Sequence, residues 1–256
     1  ETTDTNTGFI ARALRGIGVD LYRTQAIGDN NDRIASMMRE ALRRAEIVIT
    51  TGGLGPTVDD PTREAAALAS GRFLEFHPEL WTQITNRISR YGRVPTENQK
   101  KQAFLPQNAL VIHNPVGTAP AFILELGQRS LICLPGVPRE METLLLQEVI
   151  PYLKSRFNLT EVIQVRTLHV SGLGEGAIDE LVGDFESLSN PTVGLAAHSG
   201  IVSIRITAKS HSAGDCVIML DDIEMQLRQL LGVNIYGRDS DTLEGVVLKT
   251  ADQKGV

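Results

Sequence analysis

The sequence predicts an α/β protein built on a parallel sheet, followed by a smaller α+β portion, and three observations carry that expectation. The run Ile47-Val48-Ile49 is β-branched with no polar face, as suits a strand covered by helices on both sides. It breaks into Gly52, Gly53 and Gly55 and then into Asp59, Asp60 and a helical pattern, a strand-loop-helix junction. Short β-type runs then alternate with amphipathic stripes until about residue 158, after which the strands lengthen and glycine loops thin out.

Taken in order, Phe9, Ile10, Ala13 and Leu14 fall at helical spacing within a helix from Gly8 to Gly16, which Gly16 and Gly18 end before a strand Val19–Ala26. Gly28-Asp29-Asn30 makes a turn. Ile34, Met37, Met38, Ala41 and Leu42 then form the stripe of a helix that runs to Arg44. The strand Ala45–Thr50 completes an alternation that predicts parallel pairing with right-handed crossovers. Thr62 is placed to cap a helix starting near Arg63. A second helix, Pro78 to Tyr91, carries Leu80, Ile84 and Ile88 on one face with Trp81 beside them. The stretch Arg93–Pro106 is polar and basic, with a short helix bearing Lys100 and Lys101. Leu110–Ile112 is a short strand. Ala121–Leu126 and Ser130–Leu134 are the arms of a hairpin turned by Gly127-Gln128, and Leu134-Pro-Gly-Val-Pro138 enters a long helix from Arg139 to Phe157.

The second portion reads strand Val162–Val170, helix Glu175–Phe185, strands Thr192–His198 and Ile201–Ser210, helix Gly214–Leu231 and strand Val233–Tyr236. His169 is expected to be a packed core residue, whereas His198 sits at a strand end open to either role. Asp241–Lys249 is an amphipathic helical start.

With 42% apolar residues the 256-residue chain can hold one large domain or two modest ones. No apolar run approaches a membrane span and no signal peptide opens the chain, so a soluble, cytoplasmic protein with no membrane partner is expected. Cys133 and Cys216 lie in separate apolar patterns without ligand spacing, which points to buried free thiols. The net charge of −6 argues against a nucleic-acid surface.

The chemistry concentrates at Gly52–Thr62. Glycine amides and a helix N-terminus attract anions, and carboxylates in the same place repel them unless a cation lies between, so the pattern suggests a phosphate site with a divalent metal. The plainer alternative is an acidic first helical turn that satisfies the helix dipole without a ligand. In a parallel sheet the ligand crevice lies beyond the carboxyl ends of the strands, where the loop carrying Asp29 is also expected. A lysine from the basic stretch could reach a phosphate there, or simply belong to a solvated helix face. The small residues of Asn114–Pro120 and the junction at Gly136 supply two more loops where backbone can approach a ligand.

Six stretches in order, Asp4-Thr-Asn6, Gly28-Asp-Asn30, Thr50–Thr62, Asn98–Ala103, Asn114–Ala119 and Leu134–Pro138, resemble the CinA (competence/damage-inducible) family. The resemblance implies a three-layer α/β/α molybdopterin-binding-like domain over residues 1–158, lacking its first strand. A KH-like α+β domain over 159–237 follows, and 238–256 would be a linker into a further, nicotinamide mononucleotide deamidating domain that lies beyond this chain. It implies metal-dependent hydrolysis of ADP-ribose, a small-molecule nucleotide, to AMP and ribose 5-phosphate. Asp29, Asp60 and Lys101 would be catalytic. Asp29, Asp59 and Asp60 would hold Mg2+, Mn2+ or Co2+, with K+ as an optional addition. Asn6, Gly52, Gly53, Leu54, Gly55, Pro56, Thr57, Asn114, Gly117, Thr118, Pro135, Gly136 and Val137 would bind substrate. Binding of molybdopterin or a nucleotide without hydrolysis is the alternative. In the KH-like portion the loop Gly172-Leu-Gly-Glu-Gly176 runs into Asp179, Glu180, Asp184 and Glu186, which repel phosphate, so homodimerisation is expected there in place of nucleic-acid binding.

Overall fold

The computed structural model describes residues 3–198 and 200–254; the side chains of His198, Gln253 and Lys254 lie outside that description, and with them the open question of His198's role. The chain divides into two compact units, Glu1–Ala13 with Leu21–Asn158 and Leu14–Asp20 with Leu159–Val256.

The first unit opens with α1 (Thr5–Arg15) and α2 (Asn31–Arg44) and continues through β1 (Ile47–Thr51) to α3 (Thr62–Ser70). β2 (Leu74–Phe76), α4 (Pro78–Arg90), α5 (Glu97–Lys100), a 3-10 turn Lys101–Ala103 and β3 (Phe104–Pro106) follow. The hairpin partners β4 (Leu110–Ile112), β5 (Ala121–Leu126) and β6 (Arg129–Leu134) then lead into α6 (Pro138–Leu144), a π-helical turn Leu145–Val149 and α7 (Ile150–Arg156). The main sheet has the order β1-β6-β5-β4. β1 runs parallel to β6, with Thr51 opposite Leu134, and the other pairings are antiparallel. The stripe Ile34, Met38 and Leu42 of α2, the alanines of α3 and Leu80, Ile84 and Ile88 of α4 pack with Phe122, Leu124, Leu131 and Cys133 of the sheet. Asn30 caps α2 by accepting from the Arg33 amide. The long helix after Pro138 is continuous but carries one wide turn, in which the Ile150 amide bonds Leu145 O. Pro151 has no amide to continue the tighter ladder.

Three expectations need correction. Val19–Ala26 is not a strand: residues 20–26 are exposed and pair with nothing in the sheet, and a strand exists only by virtue of a ladder partner. The sheet is therefore mixed, and its parallel pair joins β1 to β6 in place of two successive early strands. β1 itself is an edge strand whose residues Ile47–Thr50 are half-buried, where full cover was expected. Thr62 is also not a cap, because α3 begins at Thr62 after Pro61 with no side-chain cap and the Thr62 hydroxyl serves the glycine loop.

The second unit contains β7 (Val162–Val170), α8 (Glu175–Glu186), β8 (Thr192–His198), β9 (Ile201–Ser210), α9 (Ala213–Leu231), β10 (Ile235–Arg238) and α10 (Leu243–Lys254). Its antiparallel sheet has the order β10-β7-β9-β8. Alternate residues Val202, Ile204, Ile206 and Ala208 are buried with Ile178 and Val182 of α8 and Cys216, Leu220, Ile223 and Leu227 of α9, so both helices cover one sheet face. His169 is held as a structural residue: its ring nitrogens lie 3.2 Å from Ser203 Oγ and 3.0 Å from the Asp239 carbonyl, and the ring stacks on Tyr236.

Candidate functional site

The parallel pairing of β1 with β6 delivers two glycine loops side by side at the carboxyl ends of adjacent strands. The first is Gly52–Thr57 and the second is Pro135–Val137. They approach closely, since a Cβ on Gly136 would stand 3.1 Å from the Gly52 Cα. The first loop turns through Gly52 and Gly53 at φ of +94° and +67°. At Gly53 a side chain would also run into the Thr62 hydroxyl. That hydroxyl donates to Gly52 O at 2.8 Å, and the Thr62 amide donates to Gly53 O at 3.1 Å, so the start of α3 locks the turn.

The loop amides are divided between structure and availability. Gly52 N–H continues the ladder to Leu134 O at 3.0 Å, and Gly55 N–H faces the Asp60 carboxylate. The amides of Gly53, Leu54, Gly136 and Val137 have no partner among the described residues. Leu54 contributes backbone only, because its side chain is 1% exposed within the core. Pro56 extends the loop, and the Thr57 amide and hydroxyl donate to Asp60 Oδ2 at 2.8 and 2.6 Å. Burial pushes the Asp60 pKa up, but these hydrogen bonds, the Gly55 amide and the charge of Arg63 together hold it below the usual carboxylate range. Asp60 is therefore an ionised acceptor, held by Thr57 through Oδ2.

Asn6 joins the second loop from α1. Its Nδ2 donates to Gly136 O at 2.9 Å, and its buried Oδ1 has no partner among the described residues. Asp4 anchors that helix start by accepting from the Thr7 hydroxyl and amide, which hold its carboxyl below the usual range. Pro135 is buried, while Gly136 and Val137 are exposed.

Asn114, Gly117 and Thr118 are placed differently. Asn114 accepts from the amides of Val116 and Gly117 and donates to Ala119 O and Glu140, so its side chain folds its own loop. A side chain on Gly117 would collide with the Glu140 carboxylate. These three residues line a cavity of about 580 Å3 together with Arg87, Arg90 and His113, and none of Gly52–Thr57 lines it. Asp29 and Asp59 are exposed. Among the described residues no three His, Cys, Asp or Glu side chains gather into a metal-holding group, so Asp29 does not join Asp59 and Asp60 in one ligand set. Lys101 is exposed at the start of the 3-10 turn.

Sequence reasoning missed Arg63 and Gln102. Arg63 is 1% exposed and donates to Leu54 O at 2.6 Å and Gly55 O at 2.9 Å. Gln102, also 1% exposed, donates to the same Leu54 O at 3.4 Å. Burial lowers the Arg63 pKa, with Glu64 and Asp60 opposing the shift. The signal in the sequence was an arginine one residue inside an alanine-rich helix, which reads as solvated until its burial is seen.

Residues 1–155 match the family model described as the probable molybdopterin binding domain, and residues 165–237 match the damage-inducible protein CinA KH domain. A competence-damage inducible protein of Clostridium botulinum (strain Loch Maree / Type A3) is 40% identical over 248 residues, covering 96% of this chain and 60% of that protein. One from Alkaliphilus oremlandii (strain OhILAs) is 40% identical over 255 residues, covering 99% of this chain and 61% of that protein. This chain thus spans about three fifths of the length of these curated relatives. The crystal structure of the protein CinA from Thermoplasma acidophilum aligns with a TM-score of 0.53 at 36% identity, covering 60% of this chain and 87% of that one. The two family matches in succession and the identity sustained across both place this chain in the CinA family, with a molybdopterin-binding-like domain followed by a KH-like domain.

Proposed function

We propose that the first unit hydrolyses the diphosphate of ADP-ribose to AMP and ribose 5-phosphate with the help of a divalent cation. The observation that carries the reading is the close approach of two loops with unpartnered amides, Gly53 and Leu54 on one and Gly136 and Val137 on the other, with the ionised Asp60 following the first. Amides of this kind bind phosphate oxygens, and a carboxylate beside them calls for a cation. The donor set suits a hard ion. Asp60, with Asp59 beside it in sequence, would hold such an ion through carboxylate oxygen, the donor type that Mg2+ and Mn2+ prefer. When bound, such a cation neutralises diphosphate charge and makes water more acidic.

The chain's own residues do the rest. The amides of Gly53 and Leu54 orient one phosphate and those of Gly136 and Val137 the other. Lys101 adds a positive charge from the neighbouring turn. Water oxygen bonds to one phosphorus, the bridging oxygen leaves with the other phosphate, and the released protons pass to solvent. Asp29, outside the Asp59–Asp60 pair, acts from the loop ahead of α2, so its removal should cost less than that of Asp60.

A second reading, binding of molybdopterin or a nucleotide without hydrolysis, is favoured by the description of the family to which residues 1–155 belong. Product analysis separates the two. This chain, and a protein of the full length of its relatives, would be incubated with ADP-ribose and Mg2+ or Mn2+ and assayed for AMP. Release of AMP with stoichiometric ribose 5-phosphate is expected. Saturable nucleotide binding with no AMP in either protein would replace hydrolysis by the second reading.

A further inference from the structure

Arg63 is the largest fully buried side chain among the described residues, yet its two short hydrogen bonds go to backbone carbonyls and to no carboxylate. A buried guanidinium is costly, so what it holds in place matters. It draws the carbonyls of Leu54 and Gly55 inward, and Gln102 reaches the same Leu54 carbonyl from the 3-10 turn that begins at Lys101. Because a peptide unit is planar and trans, a carbonyl pulled inward turns the amide that follows to the opposite side. For the Leu54 carbonyl that amide is Gly55 N–H, the one that faces Asp60. The Leu54 side chain, sunk in the core, removes the remaining freedom to rotate.

From this we infer that Arg63 and Gln102 are positioning residues for phosphate recognition. Their convergence on the Leu54 carbonyl presets the Leu54–Gly55 peptide, and with it the Gly55 N–H that faces Asp60, before substrate arrives, and it registers the Lys101 turn against that loop. The inference rests on the phosphate reading of the loop proposed above. Preorganisation lowers the ordering cost of binding, so its loss should appear in affinity more than in the chemical step.

The test uses Gln102→Leu, which removes one donor, and Arg63→Lys, which keeps the charge but not both hydrogen bonds. For ADP-ribose, KM is expected to rise about tenfold in Gln102→Leu, with kcat changing less. The same samples, 15N-labelled, should show the amide resonances of Gly53, Leu54, Gly55 and Lys101 moving together in both variants while those of β5 stay in place. A lowered Tm with unchanged KM would make the residues merely structural and overturn the inference. If the wild-type chain hydrolyses nothing, the proposed function falls by itself, and the resonances still decide this point: loop amides that do not move in either variant overturn it.

Discussion

Asp60 is the residue on which the proposed chemistry turns, and its surroundings allow a clean substitution. Asp60→Asn keeps an oxygen to accept from Thr57 but removes the negative charge that Gly55, Thr57 and Arg63 stabilise. Turnover of ADP-ribose should fall by about a hundredfold or more, with Tm shifted little, as read by AMP release and a thermal melt. Cys133 gives a prediction free of any functional assumption. Burial pushes its thiol up to about 12, so it stays protonated in the folded chain. An alkylating agent at pH 8 should leave it unmodified until denaturant is added. Because the folded pKa is raised, the stability gained by burying the neutral thiol is present below about pH 9 and is lost as pH climbs from there towards 12.

At the scale of elements, the glycine loop is a joint between β1 and α3 whose geometry only glycine satisfies. Gly53→Ala sets a Cβ at φ +67° against the Thr62 hydroxyl, and should cost about 1–3 kcal/mol in urea unfolding together with loss of ADP-ribose binding. The second unit has its own joint. Glu224 on α9, with only 10% of its side chain exposed, receives Arg166 of β7 at 2.8 Å and Arg228 at 2.8 Å, with Arg238 of β10 at 3.7 Å. Burial would lower the Arg166 pKa, but the carboxylates of Asp221 and Glu224 outweigh it. Glu224→Ala leaves a mostly buried guanidinium without its inner partner and should destabilise the chain by about 2–4 kcal/mol, measured by chemical denaturation.

At the scale of the molecule, no helix among the described residues is long and apolar enough to cross a membrane. β8 closes one side of its sheet as an edge strand, and α9 exposes Ile218 and Met225. We expect self-association through this unit, so light scattering should give twice the 27.9 kDa of one chain, and deletion of residues 160–236 should abolish it. The acidic side chains Asp179, Glu180, Asp184 and Glu186 are exposed along α8, beside the Gly172 loop. RNA and DNA should therefore bind only weakly at physiological salt, and tight, salt-sensitive binding would overturn that expectation.

Periodicity alone determined the elements whose burial pattern is local. The stripes of α2 and α4, the β5–β6 hairpin and the βαββαβ order of the second unit were all legible because each apolar face repeats at the period of its own backbone. The glycine loop was legible too, since glycines after a β-branched run followed by paired aspartates state a conflict of charge within a dozen residues. What the tertiary structure decided concerns partners distant in sequence. Val19–Ala26 has strand-like residues but no ladder partner, Thr62 spends its hydroxyl on Gly52, and Asn114 spends its side chain on its own loop. Arg63 and Gln102 meet only because α3 and the Lys101 turn converge on one carbonyl. Hydrogen-bond satisfaction of buried polar groups is a property of the assembled fold, so no local pattern could announce it.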